Sequence, residues 1–289
     1  MSLRLTDLLE DPSVPALPVS GLCEDSRQIT PGDVFVAYHG AQADGHGFAV
    51  DAVDRGAVAV LAERDIPELS GRVPVCVVAD LQARRGALAA RLYGEPGGSL
   101  HCVGVTGTNG KTSIAHSLAD LASRCGHPAG YLGTIGWGRV GALAPARLTT
   151  EDPITSQRRL AALRDDGCTW AVMEVSSHAL AQHRVDDVPF RTALFSNLSR
   201  DHLDYHADAD AYAAAKARLF RWPGLELAVL NADDAFGREL AGTLPTGILA
   251  ITYGAADADV RWQDLDLSSG AARGRWITPW GEAALTVPV

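Results

Sequence analysis

Short apolar runs alternate with helix-like stretches along most of the chain. In the first hundred residues the β-type runs are Val34–Tyr38, Ala57–Ala62 and Val75–Asp80. A helix is predicted near Gly47–Arg55, and a cluster of chain-breaking residues follows at Glu95–Ser99. We therefore predict a small α/β domain over residues 1–97 and a second domain over residues 98–289.

The alternation is more regular in the second domain. Its strand-like runs are HCVGV, AGYLGTI, WAVMEV, TALFSNL and LAVLNAD, and helical stretches begin at Lys111, Ser156 and Ala209. Apolar strands that alternate with helices predict right-handed crossovers and a mainly parallel sheet covered on both faces. Ligands of such sheets bind beyond the carboxyl ends of the strands, so functional side chains are expected there.

Composition narrows the classes of function. The 289 residues are 47% apolar and 21% charged, which is typical of a folded globular protein. The net charge of −10 argues against nucleic acid as a partner, so a phosphate site must rely on backbone N–H groups and a few cations. Five widely spaced cysteines and the lack of a long apolar segment lead us to expect a cytoplasmic protein without membrane insertion.

A glycine-rich segment opens the second domain. Gly104-Val-Thr-Gly107-Thr108-Asn109-Gly110-Lys111-Thr112 follows an apolar run and precedes a helical stretch. Backbone N–H groups of such a loop face phosphates, the lysine reaches the terminal phosphates, and the threonine hydroxyl binds Mg²⁺. The spacing departs from the usual pattern because Val105 stands at the first glycine position. The alternative interpretation is a glycine-rich turn with an incidental lysine.

An acidic residue and two histidines follow later in the chain. Glu174 ends an apolar run and is a candidate Mg²⁺ ligand, although it is also interpretable as a structural acid that caps a helix. His202 and His206 are four residues apart, a spacing that permits a transition-metal pair on a helix. No H-E-x-x-H pattern accompanies them, so we favour surface histidines in a polar turn.

Several segments resemble the Mur ligase family. The loop G-x-x-G-T-N-G-K-T is followed, in the family's order, by MEVSSHALAQHRV, SNLSRDHLDYH, YAAAKARLF and LNADD. The resemblance implies ATP and Mg²⁺ as cofactors. It implies nucleotide contacts from the loop, metal binding by Thr112, Glu174 and His202, and catalytic roles for Lys111, Asn197, His202 and Lys216. The resemblance also implies that Lys216 is carbamylated and holds metal. Without the resemblance, a lysine on an alanine-rich helix would be interpreted as a solvated side chain.

The resemblance further implies a substrate site. The first domain carries D-S-R and G-x-x-A-D-G segments similar to the family's uridine-binding segments, and these assign Ser26, Gln42 and Ala43 to the nucleotide. Contacts to the muramoyl peptide are implied for Thr149, Thr150, Ser176, Gln182 and Arg184. The planar guanidinium of Arg184 suits a carboxylate or a phosphate.

The implied activity is the ATP-dependent addition of a third amino acid, meso-diaminopimelate or L-lysine, to UDP-MurNAc-L-Ala-D-Glu in peptidoglycan synthesis. The reaction would pass through an acyl phosphate. Family members have a further amino-acid-binding domain that this sequence does not match, so we expect a fragment that binds substrate but turns over poorly. Two alternatives stay open, a folylpolyglutamate-type ligase and a non-catalytic nucleotide-binding regulatory module.

Overall fold

The computed structural model describes residues 3–40, 43–201, 205–255, 257–267 and 270–288. It is a mixed α/β structure, which confirms the predicted fold class. The chain forms two compact units. Unit 1 comprises Met1–Ser99, Asp152–Asp165 and His183–Asp187, and unit 2 comprises Leu100–Glu151, Asp166–Gln182 and Val188–Val289.

The helices and strands are numbered in chain order. The described strands are β1 (Leu3–Arg4), β2 (Pro18–Val19), β3 (Gly21–Cys23), β4 (Asp33–Ala37), β5 (Ala59–Ala62), β6 (Val75–Val77), β7 (His101–Thr106), β8 (Ala129–Gly133), β9 (Gly136–Arg139), β10 (Trp170–Glu174), β11 (Phe190–Phe195), β12 (Leu227–Asn231), β13 (Leu249–Gly254), β14 (Val260–Asp266), β15 (Ala271–Thr278) and β16 (Gly281–Pro288). The described helices are α1 (Leu5–Leu9), α2 (Ala49–Asp54), α3 (Leu81–Leu92), α4 (Lys111–Arg124), α5 (Pro153–Asp165), α6 (Ser177–Ala181), α7 (Ala209–Ala217) and α8 (Ala235–Thr243).

Unit 1 is built on a parallel sheet of strand order β3-β4-β5-β6. Alternate residues of β4 enter opposite layers of the core, because successive side chains of a strand point to opposite faces. Val34 and Val36 pack with α1 and α3, whereas Phe35 and Ala37 pack with α2. The three predicted β-type runs and the predicted helix of this part correspond to β4, β5, β6 and α2.

Two segments beyond residue 97 also belong to unit 1, so the compact units do not follow a single break in the chain. Helix α5 packs against α3. Gly86 of α3 allows this close approach, since a Cβ there would lie only 3.2 Å from Cβ of Pro153, the first residue of α5, and 2.1 Å from Oδ2 of Asp187. The helix begins at Pro153, three residues before the predicted start at Ser156, because the carboxylate of Asp152 accepts the Thr155 amide at 2.8 Å.

Unit 2 contains a sheet in which ten described strands have the order β16-β15-β14-β13-β12-β11-β7-β10-β8-β9. The strands from β14 to β8 are parallel, and β9, β15 and β16 add antiparallel edges. The predicted strands of this half correspond to β7, β8, β10, β11 and β12. The sequence analysis did not predict β9 or the strands β13 to β16.

The centre of this sheet places four strand ends side by side. Strand β7 lies between β10 and β11, and β8 lies beside β10. Alanines at 115, 119 and 122 of α4 pack on the valines of β7, since their small side chains let the helix approach the sheet closely. The segments that follow β7, β8, β10 and β11 therefore meet at one edge.

None of the helices described combines the length and apolar character that a bilayer-crossing segment needs. All five cysteines are free thiols.

Candidate active site

The glycine loop, residues 107–110, connects β7 to α4 at the carboxyl edge of the unit 2 sheet. Gly107 has a φ of +144° and Gly110 a φ of +84°, conformations that glycine adopts without steric cost. A Cβ at position 107 would also lie 1.9 Å from Oγ of Ser196. The strand, the turn and the helix thus occur in the order that phosphate binding requires.

The segment after β11 clamps this loop. The Asn109 amide donates to Oδ1 of Asn197 at 3.1 Å, and Nδ2 of Asn197 donates to the Asn109 carbonyl at 3.0 Å. The Thr108 amide donates to the Asn197 carbonyl at 2.8 Å. Asn197 therefore positions the loop. Two loop amides that were expected to face phosphates are used by this clamp, which leaves the amides at the start of α4 to meet an anion.

Two lysines converge on one carbonyl of the loop. Nζ of Lys111 donates to the carbonyl oxygens of Gly107 at 2.9 Å and Thr108 at 2.8 Å. Nζ of Lys216 donates to the same Gly107 oxygen at 2.9 Å. These are the two lysines of the chain. The loop therefore carries both ammonium groups within hydrogen-bond reach of one atom.

Lys216 is 1% exposed, which corrects the interpretation of a solvated residue on an alanine-rich helix. Ala215 and Ala217, its neighbours in α7, are also buried, and its Nζ lies 4.4 Å from the ring centroid of Tyr212. Burial, together with the charge of Lys111, lowers the pKa of Lys216 to about 7. Burial also lowers the pKa of Lys111. A bound phosphate would stabilise the protonated form of Lys111.

Glu174, at the end of β10, is fully buried and is surrounded by donors. Its Oε2 accepts from the Thr112 hydroxyl at 2.9 Å and from the Thr134 hydroxyl at 3.3 Å. Its Oε1 accepts from the Thr134 amide at 2.9 Å and from the Tyr131 phenol. The carboxylate predicted from the sequence therefore contacts the first turn of α4, directly after the glycine loop.

These residues fit a magnesium ion. The Thr112 hydroxyl and the Glu174 carboxylate are two oxygen donors already in contact, and Mg²⁺ is commonly held by one or two such groups together with waters and substrate phosphates. In the part of the chain that the structure describes, no group of three or more His, Cys, Asp and Glu side chains is placed to hold a metal. His202 lies outside the described residues.

Three predicted substrate residues are hydrogen-bonded to Glu174 directly or through one intervening residue. Thr150 donates through its hydroxyl to the Glu174 carbonyl at 2.8 Å and accepts from the Ser176 amide at 3.1 Å. The Thr134 hydroxyl donates to Oγ1 of Thr149 at 3.0 Å. The fourth predicted residue of unit 2, Gln182, donates to the Tyr205 phenol at 2.9 Å.

His206 is buried, which corrects the prediction of a surface histidine. Its Nε2 lies 3.0 Å from Oγ of Ser177, and its ring packs against Tyr212 with centroids 5.2 Å apart. Tyr212 in turn lies 3.1 Å from the Thr108 hydroxyl. The histidine thus packs behind the glycine loop.

Ser26, Ala43 and Arg184 belong to unit 1, whereas Gln42 lies outside the described residues. Ser26 is buried and begins a 3₁₀ turn whose cap is Asp25. The carboxylate of Asp25 accepts from the Arg27 side chain at 2.8 Å, and this hydrogen bond lowers the pKa of the carboxyl. The turn follows the carboxyl end of β3, where ligands of parallel sheets bind.

A half-buried polar cluster lies beside this turn. Oε2 of Glu24 lies 3.3 Å from both the Tyr38 phenol and Nε of Arg85, and the Arg85 guanidinium lies 4.7 Å from the Tyr38 ring centroid. Burial, reinforced by the charge of Asp152, raises the pKa of Glu24 to about 7, while Arg85 and Arg184 oppose that shift.

Sequence reasoning missed several residues of these sites. Thr134 was detectable, because it lies near the carboxyl end of a predicted strand, at the ligand edge of the sheet. Tyr131, in the middle of an apolar run, and Glu24, in a loop, gave no separate signal, since their roles arise from side chains distant in the sequence. Ser196 was within a quoted motif but had no assigned role.

A parallel sheet, a glycine loop that ends in Lys-Thr and an adjacent strand-end carboxylate are typical of α/β proteins of the P-loop class, many of which bind nucleotides. Residues 105–289 match the Mur ligase middle domain, and residues 18–93 match the domain described as Mur ligase family, catalytic domain. The chain belongs to the Mur ligase family.

Individual relatives agree with this. The chain is 48% identical over 286 residues to the UDP-N-acetylmuramoyl-L-alanyl-D-glutamate–2,6-diaminopimelate ligase of Alkalilimnicola ehrlichii, with 94% of this chain and 57% of that protein covered. It is 45% identical to the enzyme of the same name from Chromobacterium violaceum, with 97% and 59% covered. A solved structure of a ligase with this name superposes with a TM-score of 0.82 at 32% identity, covering 99% of this chain and 59% of the other. The chain thus spans less than two thirds of the length of these relatives.

Proposed function

We propose that unit 2 binds ATP through the glycine loop and that the chain belongs to an ATP-dependent ligase that forms a carbon–nitrogen bond. The observation that carries this proposal is the convergence of Lys111, Lys216 and the Thr112–Glu174 pair at the loop. The Lys111 ammonium next to a helix N-terminus suits the β- and γ-phosphates, and an oxygen-donor pair suits the cation that accompanies them.

We propose UDP-MurNAc-L-Ala-D-Glu as the acceptor substrate, which is the acceptor in the name of the relatives at 45–48% identity. A carboxylate of the acceptor attacks the γ-phosphorus of ATP, giving an acyl phosphate and ADP. The amine of the incoming amino acid then attacks the acyl carbon, and phosphate leaves as the amide forms. Lys111 offsets negative charge on the transferred phosphoryl group, while Asn197 fixes the loop, so the protein acts by positioning and electrostatics.

The proposal of a magnesium site is supported by the oxygen donors of Thr112 and Glu174, which are in contact. Thr112 and Glu174 would hold Mg²⁺, which supplies charge neutralisation at the phosphates when bound. His202 is proposed as a further ligand from the family resemblance. The lowered pKa of Lys216 supports carbamylation, because only a neutral amine attacks CO₂. The product is a carbamate anion, with the released proton passing to solvent.

The uridine nucleotide is assigned to Ser26, Gln42 and Ala43, and the muramoyl peptide to Thr149, Thr150, Ser176, Gln182 and Arg184. The relatives' names support 2,6-diaminopimelate, rather than L-lysine, as the added amino acid. We propose a cytoplasmic location for this enzyme, because ATP and a UDP-linked acceptor are its proposed substrates.

Calorimetric titration of the chain with UDP-MurNAc-L-Ala-D-Glu, UDP and folate tests the substrate class. We expect the chain to bind the first two ligands and not to bind folate. The Arg184→Ala substitution should lower the affinity for UDP-MurNAc-L-Ala-D-Glu more than the affinity for UDP. Folate binding without UDP binding would instead identify a folylpolyglutamate-type ligase.

Turnover distinguishes a ligase from a non-catalytic module. For the longer protein that contains this chain, ADP release should require both the muramoyl dipeptide and diaminopimelate, and tripeptide should form in equal amount. Nucleotide binding without ADP release or tripeptide formation would favour a regulatory module.

A further inference from the structure

The two oxygens of the Glu174 carboxylate have different partners. Oε1 faces the Tyr131 phenol and the Thr134 amide, whereas Oε2 faces the hydroxyls of Thr112 and Thr134. Thr112 is the proposed metal ligand at the start of α4. The first oxygen is thus held by groups of the β8 side, and the second is directed at the nucleotide loop.

Tyr131 is a rigid donor. It is fully buried in β8, where it pairs in parallel register with Val172 of the neighbouring strand that carries Glu174. Its phenol donates to Oε1 of Glu174. Its ring also meets His116 of α4 edge-on, with centroids 5.7 Å apart.

Gly133 leaves the space that this contact occupies. A Cβ at position 133 would lie 2.2 Å from Oε1 of Glu174 and 2.3 Å from the Tyr131 hydroxyl oxygen. Any larger residue there would displace one partner of the hydrogen bond. The glycine at the end of β8 is therefore explained by the Tyr131–Glu174 pair and not by a turn.

We propose that Tyr131 is a positioning residue for the metal ligand: together with the Thr134 amide it holds Oε1 of Glu174, so that Oε2 alone is offered to a magnesium ion at Thr112. This inference rests on the proposed function. Magnesium demands near-octahedral geometry, which a carboxylate held through one oxygen meets with less reorganisation than a freely rotating one. Groups that orient a metal ligand in this way commonly change metal affinity by about 10–100-fold when removed.

The test uses Mn²⁺ as the probe, counted as free ion by electron paramagnetic resonance in the presence of saturating ADP. Tyr131→Phe, which removes only the hydroxyl, should weaken Mn²⁺ binding by about 10–100-fold. Its affinity for ADP without metal should stay unchanged. Tyr253→Phe is the matched control, since that phenol donates to the Phe195 carbonyl at 3.2 Å in the same unit, and its Mn²⁺ affinity should equal the wild type.

A second variant and a structure of the wild type test the same contact if Tyr131→Phe folds poorly. Gly133→Ala, checked for folding by circular dichroism, should show the same selective loss of Mn²⁺ affinity. A crystal structure of the wild type with Mn²⁺ and ADP should show Oε2 on the metal and Oε1 on Tyr131. Bidentate binding, or wild-type Mn²⁺ affinity in Tyr131→Phe, would overturn the inference while leaving the proposed function intact. Failure of the wild type to bind ADP and Mn²⁺ would overturn both.

Discussion

Lys111 and Lys216, 105 positions apart in the sequence, donate to the same carbonyl oxygen, that of Gly107. One lysine begins the helix after the glycine loop, and the other projects from α7. Burying two ammonium groups at one acceptor is unfavourable for folding, and the lowered pKa of Lys216 expresses this. Carbamylation of Lys216, as proposed above, would relieve this by replacing one of the two ammonium groups with an anion.

The first prediction concerns stability. Lys216→Met keeps the length of the side chain and removes the buried charge, so the variant should be more stable than the wild type by on the order of 2 kcal/mol at about pH 6. Urea unfolding followed by circular dichroism measures this difference. Ligase activity of the longer protein should be lost. A variant that is less stable than the wild type would show that the ammonium group stabilises the fold.

The second prediction concerns carbamylation. With ¹³C-labelled bicarbonate, the chain should give a ¹³C carbamate resonance that Lys216→Arg abolishes, because a guanidinium does not become a nucleophilic amine. Because the chain has only two lysines, two variants suffice to assign the carbamate resonance to one of them. Lys111→Arg is the matched control and should keep the resonance. Persistence of the resonance in Lys216→Arg would place the carbamate on another amine.

The third prediction compares two glycines. Gly107→Ala puts a Cβ against Ser196 in a backbone conformation of φ +144°, so we expect destabilisation by roughly 2 kcal/mol or more and loss of nucleotide binding. Gly242 lies in α8 with no atom within 4 Å of a built Cβ. Gly242→Ala should therefore stabilise the chain by about 0.5–1 kcal/mol, because it restricts the unfolded state. Melting curves and ADP titrations of both variants check the pair.

The sequence predicts the parallel core and the glycine loop well, because apolar runs, glycines and Lys-Thr are local signals. It predicts the position of Glu174 for the same reason, since a strand end is visible in the pattern. The strands after residue 249 are half-exposed and carry mixed side chains, such as Trp262 and Arg275, so no clear period marks them.

The structural features that could not be predicted depend on contacts between segments far apart in the sequence. The burial of Lys216 and His206 arises from packing behind the loop, and composition alone favours solvent for both residues. The association of α5 with unit 1 depends on its contact with α3. Glu24, Tyr38 and Arg85 form their cluster only when two strand ends and a helix are brought together.

The fourth prediction concerns pH. Glu24 has a folded-state pKa of about 7 against 4.5 for the free side chain, so its contribution to stability is complete below about pH 4.5 and is lost as the pH rises through 7. The unfolding free energy of the wild type minus that of Glu24→Gln should fall by up to about 3 kcal/mol between pH 5 and pH 8. Glu68→Gln, at an exposed site, is the matched control. A constant difference across this range would contradict the assignment.

The proposed role of the loop ending in Lys111-Thr112, with Glu174 beside it, is to bind a magnesium nucleotide. Its most direct test is calorimetric titration of the chain with ADP, with and without Mg²⁺, in the wild type, Lys111→Met and Glu174→Gln. We predict that Lys111→Met weakens ADP binding by about tenfold or more in both conditions. Glu174→Gln should remove only the gain that Mg²⁺ provides. Equal ADP affinity in the wild type and both variants would contradict the account.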